Sequence, residues 1–248
     1  FCALSTLSSI LVIWALAKLL LKDKHLVGEF VQACYRSSAA ILGTAFIQNI
    51  YGTSGMSGLM ILGSVPLYNI FAVLILTLES PSADAHAAMG DKIKASIRGI
   101  FTNPILIGIA LGFVYSLLRL PLPTMANKTL SSLASLTSPL ALLAIGAGFK
   151  GKAALGYLRP TAAATVIKLL VLPAVFLPIA FRMGFTNEKL VGLLVMLGSV
   201  TTPAGYVMAK QMGHEGVLTG SVCVTTTFFS ALTLTFWVLL AHSLGYIV

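Results

Sequence analysis

Long apolar stretches separated by short polar segments run along the whole chain. A window of about 20 apolar residues, the length that crosses a bilayer as a helix, defines these stretches. Their approximate bounds are 1–21, 28–51, 56–78, 103–119, 129–149, 160–182, 189–210 and 216–247. The first lacks a basic leading region and is long enough to span, so it is not a cleavable signal peptide. The pattern predicts an all-α polytopic membrane protein with eight transmembrane helices in this chain.

The composition agrees with a lipid environment and excludes an ordinary soluble domain. Of the 248 residues, 57% are apolar and 9% are charged, whereas soluble domains carry about a quarter charged residues because their surface faces water. Lys and Arg number 16 against 7 Asp and Glu. We attribute this excess to basic loops on one side of a membrane rather than to nucleic-acid binding. Three cysteines without a CxxC motif indicate neither a disulfide framework nor a metal site.

The basic residues of the loops are distributed unequally between the two sides of the membrane, as assigned from the eight predicted spans. Ten lie on one side and four on the other, while Arg36 and Lys168 fall inside spans. The positive-inside rule then places the long polar loop 79–102 in the cytoplasm and the C-terminus outside, in a cell membrane. Within this loop an apolar face opposes a basic one, which predicts a short interfacial helix; the alternative is a solvated linker. The residues concerned are Ile93, Ile97, Ile100 and Phe101 on the apolar face and Lys92, Lys94 and Arg98 on the basic face.

Four spans contain polar or proline interruptions. Such groups are costly at membrane depth unless they line a cavity or face protein. Pro203 should break span seven, because proline lacks an N–H donor and clashes with the preceding turn. For the threonines of span eight we favour helix packing. The four interruptions are Arg36–Asn49, Pro66–Asn69, Thr201–Pro203 and Thr225–Thr227.

The spans separate into three before the long loop and five after it. Interruptions at corresponding places in two halves are typical of transporters built from inverted repeats, and an odd number of spans inverts a duplicated unit. We therefore expect residues 1–78 to be the remainder of a first repeat and residues 103–248 to be a complete second repeat. Two further spans are expected ahead of Phe1.

Several of these stretches occur in the order known from one family, and the sequence resembles the auxin efflux carrier family, including its bacterial organic-acid permeases. The resemblance implies ten helices in two inverted five-helix repeats, with the fourth and ninth helices broken and crossing at mid-membrane. It also implies an elevator-like carrier. Ser38 and Ala45 stand where the family often has Asn and Pro, so the first break is expected to be less sharp. The matching stretches are Tyr35–Gly43 with Tyr51-Gly52, Pro66–Asn69, Asn103–Gly108, Ser138–Gly146, Lys168–Pro173, Thr202–Ala204 and Thr225-Thr226.

The expected breaks are the candidate substrate site. A broken helix exposes N–H groups and a partial positive charge, which can hold a carboxylate. Arg36 and Lys168 could attract an anion, or their long side chains could snorkel to the interface. The absence of Asp or Glu deep in any span favours a substrate that is itself the anion. The predicted substrate-binding residues are Ser37, Ser38, Thr44, Asn69, Thr201, Thr202 and Pro203.

The predicted function is transport of small organic anions such as malonate or malate, without a cofactor or metal. The predicted partners are that anion and the lipid bilayer, with no nucleic acid, and the oligomeric state, monomer or homodimer, is left open. A sodium- or proton-coupled carrier of the same fold is the alternative. A remote alternative is a rhomboid-like serine protease, since Gly52–Gly55 fits GxSG and Ala241–Gly245 resembles the histidine segment of that family. However, 188 residues and five spans separate Ser54 from His242.

Overall fold

The computed structural model describes residues 1–52, 55–80, 94, 97–99, 101–118, 121–149 and 151–247. Throughout these residues the regular structure is helical, and no strand occurs in them. Two π-helical turns, Ala39–Gly43 and Ile167–Val171, continue the helices beside them. The α-helices are α1 (Cys2–Leu20), α2 (Val27–Tyr35), α3 (Thr44–Tyr51), α4 (Gly55–Leu78), α5 (Pro104–Leu118), α6 (Thr124–Gly148), α7 (Gly151–Gly156), α8 (Leu158–Val166), α9 (Leu172–Arg182), α10 (Asn187–Gly198), α11 (Pro203–Gln211) and α12 (Val217–Ser243).

Six helical stretches in the described part are long and apolar enough to cross a membrane, and each coincides with a predicted span. The second predicted span is divided into α2 and α3, and the fourth is the 15-residue α5. The all-helical, multi-pass membrane class is confirmed. The count of eight spans, the inverted repeat and the division at residues 79–102 stay predictions. The six stretches are Cys2–Leu20, Gly55–Leu78, Thr124–Gly148, Leu158–Arg182, Asn187–Gln211 and Val217–Ser243.

Helices α2 and α10 form the centre of the bundle. All nine residues of α2 are buried, as are nine of the twelve residues of α10. Helices α1, α4, α8 and α12 pack around α2, and α4, α9 and α12 pack around α10. A buried polar group is costly unless it forms a hydrogen bond. The polar residues within these two helices therefore need partners inside the protein.

Both central helices end abruptly. After α2, residues 36–38 are non-helical, and the chain resumes as the first π turn; after α10, residues 199–202 are non-helical. Pro203 then occupies the first position of α11, where its missing N–H costs no helical hydrogen bond. The predicted break in span seven is confirmed. The first break forms without a proline. It is three residues long and the second is four, so the first break is only slightly less pronounced than the second.

The predicted interruption in span three is wrong. Helix α4 is continuous from Gly55 to Leu78 with Pro66 inside it. Proline is tolerated within membrane helices, and here the helix continues past it. The side chains of Ser64 and Asn69 nearby donate to the carbonyls of Met60 and Val65 in the same helix.

The predicted interfacial helix lies only partly within the described residues. Ile97, Arg98 and Gly99 are helical, and Phe101 is helical and exposed. Lys92, Ile93 and Ile100 lie outside the described residues. This expectation therefore stays a prediction.

Candidate functional site

The two helix interruptions lie directly against each other inside the bundle. The backbone N–H of Ser38, in the segment 36–38, donates to the carbonyl of Val200, in the segment 199–202, at 3.0 Å. A hydrogen bond between two irregular segments satisfies backbone groups that neither helix can satisfy. The two interruptions, residues 36–38 and 199–202, thus meet in a main-chain contact, and we call this contact the crossing.

Two hydroxyl groups reinforce this crossing in a reciprocal way. Ser37 Oγ donates to the carbonyl of Met196 in α10 at 2.6 Å, and Thr201 Oγ1 donates to the carbonyl of Ala33 in α2 at 2.8 Å. Both carbonyls lie in the last turn of a helix, where no intrahelical N–H is available. Each interruption therefore caps the end of the opposite helix. These two predicted substrate-binding hydroxyls are engaged in holding the crossing together.

Helix α12 holds the second interruption from another side. The N–H of Thr201 donates to Thr226 Oγ1 at 3.1 Å, and Cys223 Sγ donates to the carbonyl of Thr201 at 3.3 Å. Thr226 is fully buried. Sequence reasoning assigned the three threonines of span eight to helix packing and missed this contact, because a run of identical residues does not show which one faces the break.

Arg36 lies at the first interruption and is 3% exposed, so the snorkelling alternative is wrong for it. Its Nη2 donates to Asn69 Oδ1 at 2.8 Å, and its Nη1 contacts Met208 Sδ at 2.9 Å. Its Nε has no hydrogen-bond partner among the described residues. No carboxylate of the described residues lies within ion-pair distance of this guanidinium. The crossing therefore contains a buried cation whose Nε donor has no partner among the described residues.

Lys168 is fully buried, so the snorkelling alternative is wrong for it as well. It lies in the second π turn, and its Nζ donates to the carbonyl of Tyr35, the last residue of α2, at 3.1 Å. A cation is favoured at a helix C-terminus by the free carbonyls and the helix dipole. The π turn is tied to α12 through the indole of Trp237, which donates to the carbonyl of Leu169 at 3.0 Å. Lys168 thus places a second cation beside the first interruption.

Of the three remaining predicted hydroxyl residues, two lie at the crossing and one does not. Thr44 Oγ1 donates to the carbonyl of Ala40 within its own segment at 2.8 Å, so the structure does not bring this hydroxyl to the crossing. Ser38 and Thr202 precede the helical segments that follow the two interruptions, are partly buried, and neither caps its segment with its side chain. Ser38 and Thr202 are therefore the predicted residues whose hydroxyl groups lie at the crossing but do not hold it together through a hydrogen bond.

Sequence reasoning missed two polar side chains that complete the crossing. Tyr68 lies with its hydroxyl 3.3 Å from Ser37 Oγ, and Gln32 Nε2 donates to the carbonyl of Gly205 at 3.0 Å. Gln32 Oε1 has no hydrogen-bond partner among the described residues. A glutamine near the start of the second apolar span was the available signal. Within the described part of the chain, no three His, Cys, Asp or Glu side chains are grouped as metal ligands.

A family model described as membrane transport protein matches residues 1–238, which include both interruptions, Arg36 and Lys168. The chain belongs to this family. It is the auxin efflux carrier family whose motifs the sequence shares, so the protein is a multi-pass membrane transporter. No curated protein matches the chain.

Membership of the auxin efflux carrier family gives the rhomboid alternative no support. The family description names transport. Ser54, the proposed nucleophile, lies outside the described residues, and His242 lies in the last turn of α12.

A buried carboxylate joins α2 to the start of α12. Glu29 is 2% exposed. It accepts hydrogen bonds from the N–H of Gly216 at 2.7 Å, the N–H of Thr219 at 3.0 Å and the hydroxyl of Thr219 at 3.1 Å. A carboxylate at a helix N-terminus satisfies free N–H groups and faces the positive end of the helix dipole. Glu29 therefore acts as the cap of α12.

Replacing Glu29 with glutamine is expected to lower the free energy of unfolding by about 1.5–3 kcal/mol, because the buried cap loses its charge-assisted hydrogen bonds. Thermal unfolding of the purified protein in detergent measures this change. Glu215→Gln is the matched control, since Glu215 lies next to the same helix start but is exposed. Equal losses in the two variants would contradict the cap.

Proposed function

We propose that this member of the auxin efflux carrier family transports small organic anions, with a substrate carboxylate held where the two interrupted helices cross. The observation that supports this most directly is Arg36. Its guanidinium is buried at the crossing, retains one N–H without a partner, and has no carboxylate partner among the described residues. A buried charge is costly unless it is paired, and an anionic substrate supplies that pairing.

The backbone around Arg36 supports the same substrate charge. The π turn that starts at Ala39 and helix α11 that starts at Pro203 both begin at the crossing. The first N–H groups of such half-helices carry a partial positive charge and recognise anionic groups of substrates in transporters. Glu29 lies in α2 but is engaged in capping α12. The carbonyl ends of α2 and α10 also lie at the crossing, so its net positive charge comes from the two buried cations, Arg36 and Lys168.

Uneven packing supports an elevator-like movement. In the most apolar part of Asn187–Gln211 72% of the residues are buried, whereas in that of α6 the share is 11%. Tyr206 of α11 meets α6 at Gly148, where an added Cβ would clash with the tyrosine hydroxyl. The densely packed stretch Asn187–Gln211 therefore contacts the exposed helix α6 through a glycine. A contact through such a small residue is compatible with one part of the protein sliding against the other. We infer that α6 belongs to the static part.

Uptake of radiolabelled dicarboxylates into proteoliposomes tests the proposed function. We expect saturable uptake that follows an imposed membrane potential, because the substrate carries net charge. The measurement is made with a malonate and malate panel at clamped potential, and empty liposomes are the control. If no carboxylate is transported or bound, the proposed function is wrong.

The alternative, sodium coupling on the same fold, rests on a different residue. Ser199 follows the last residue of α10, is fully buried, and its hydroxyl has no partner among the described residues. Oxygen atoms at the C-terminal end of a half-helix can coordinate Na⁺. The same uptake assay with and without a Na⁺ gradient decides between the two. Uptake that requires the gradient favours sodium coupling, and equal uptake favours movement driven by potential.

A further inference from the structure

An apolar groove with a volume of about 800 Å³ lies between α1, the start of α2, and the stretch from α8 to α9. Its floor is formed by Leu26, which directly precedes α2, and by Phe30 in the first half of α2. Its walls are α1 on one side and α8 to α9 on the other. Helices α1 and α8 both pack on α2 without packing extensively on each other, and this arrangement leaves the groove open.

Two serines in the wall do not make the groove polar. Ser8 Oγ donates to the carbonyl of Ser5 at 3.2 Å, and Ser9 Oγ donates to the carbonyl of Thr6 at 3.0 Å. Because both hydroxyl hydrogens are directed to the backbone of α1, the wall offers no free donor there. The groove therefore suits an apolar occupant along most of its length.

One end of the groove is charged. Lys22, Asp23 and Arg159 line it, together with Tyr157. Lys22 and Arg159 are exposed, and neither forms an ion pair with a described residue. The carboxylate of Asp23 accepts a hydrogen bond from the N–H of His25 at 3.0 Å. The mouth thus presents two available cations.

The neighbouring lysines are engaged elsewhere. Lys18 pairs with Glu79 at 2.8 Å, and Lys24 Nζ donates to the carbonyl of Lys18 at the end of α1. Lys22 and Arg159 are therefore the basic residues of this end that can meet a ligand at the groove mouth.

The length of the groove matches one leaflet of a membrane. Its lining along α1 runs from Leu21 to Ser8, which is roughly 20 Å at 1.5 Å per residue. Half of the hydrocarbon core of a bilayer is about 15 Å thick. One acyl chain that starts at the charged mouth therefore stays within the groove.

We propose that this groove binds an anionic phospholipid, with an acyl chain along α1 and the phosphate between Lys22 and Arg159. Arginine binds phosphate oxygens through its planar N–H fork, and basic pockets between membrane helices hold anionic lipid headgroups. A second copy of the chain or another apolar helix would fill the groove but would leave the two cations unpaired. The phospholipid satisfies both the apolar length and the charged mouth.

Binding is tested by native mass spectrometry of the purified chain with phosphatidylglycerol and phosphatidylcholine of identical acyl chains. We expect phosphatidylglycerol to be retained more strongly. Since each Lys or Arg near an anionic surface contributes about 1 kcal/mol, the double variant Lys22→Gln with Arg159→Gln should weaken retention about 25-fold. Equal retention of the two lipids by the unchanged chain would overturn the proposal.

Two further variants separate this site from general attraction. Lys152→Gln with Lys210→Gln removes the same charge from other exposed positions and should leave retention unchanged. Ala163→Phe fills the groove at an exposed wall position and should displace the lipid while leaving the cations in place. If the control pair loses as much lipid as the mouth variant, or if Ala163→Phe retains it fully, the groove is not the site. All readouts are of bound lipid, so a failure of the proposed transport function would not affect them.

Discussion

Replacing Arg36 with glutamine is expected to lower carboxylate uptake about 30-fold or more. Removing one partner of a buried, hydrogen-bonded charge pair costs about 2–5 kcal/mol, and each 1.4 kcal/mol is a factor of ten in binding. Glutamine retains an amide that can donate to Asn69 Oδ1, the acceptor of Arg36 Nη2 at 2.8 Å, so the helix contact is largely preserved. The measurement is initial uptake of a dicarboxylate into proteoliposomes over a range of concentrations.

Arg36→Lys and Arg182→Gln complete this test. Lysine keeps the positive charge but loses the guanidinium fork, so uptake should recover in part, chiefly through a lower KM than that of the glutamine variant. Arg182 is in the last turn of α9 and exposed, so Arg182→Gln should transport normally. If Arg36→Gln folds and transports with an unchanged KM and rate, Arg36 does not meet the substrate.

Replacing Thr201 with valine is expected to destabilise the crossing by about 1–3 kcal/mol. Valine keeps the shape of threonine but removes the hydroxyl that donates to the carbonyl of Ala33 at 2.8 Å, and a buried carbonyl left without a donor carries its full desolvation penalty. Ser37→Ala should have a similar effect through the carbonyl of Met196. Because both bonds hold one contact, the double variant should deviate from additivity by at least about 0.5 kcal/mol.

Thermal or denaturant unfolding in detergent measures these changes. The matched control is Thr233→Val, since Thr233 is partly exposed and its hydroxyl donates to the carbonyl of Phe229 in its own helix at 3.2 Å. Its stability should change by less than about 0.5 kcal/mol. A loss in Thr233→Val equal to that in Thr201→Val would show that the crossing bonds contribute nothing specific.

Features that depend on neighbouring residues were predictable. The bounds of the apolar stretches follow from the length that lipid requires, and six of them coincide with helices of the described part that can cross a membrane. The break before Pro203 follows from the missing N–H of proline. The same argument failed at Pro66, where α4 continues through the proline, as membrane helices can.

Features that depend on partners distant in the chain were decided by the tertiary structure alone. The sequence by itself determined a polytopic helical transporter, the break before Pro203, and the polar residues of the spans. It did not determine which of four candidate spans are interrupted. It left open whether Lys168 reaches the interface or stays inside. The structure decides this, because the free carbonyl at the end of α2 lies 3.1 Å from its ammonium group. Likewise Ser37 and Thr201 were recognisable as polar residues at the breaks, but only the crossing of α2 and α10 shows that each one caps the other helix. A carbonyl without a helical partner must find a donor wherever the fold places one, and sequence spacing does not specify that donor.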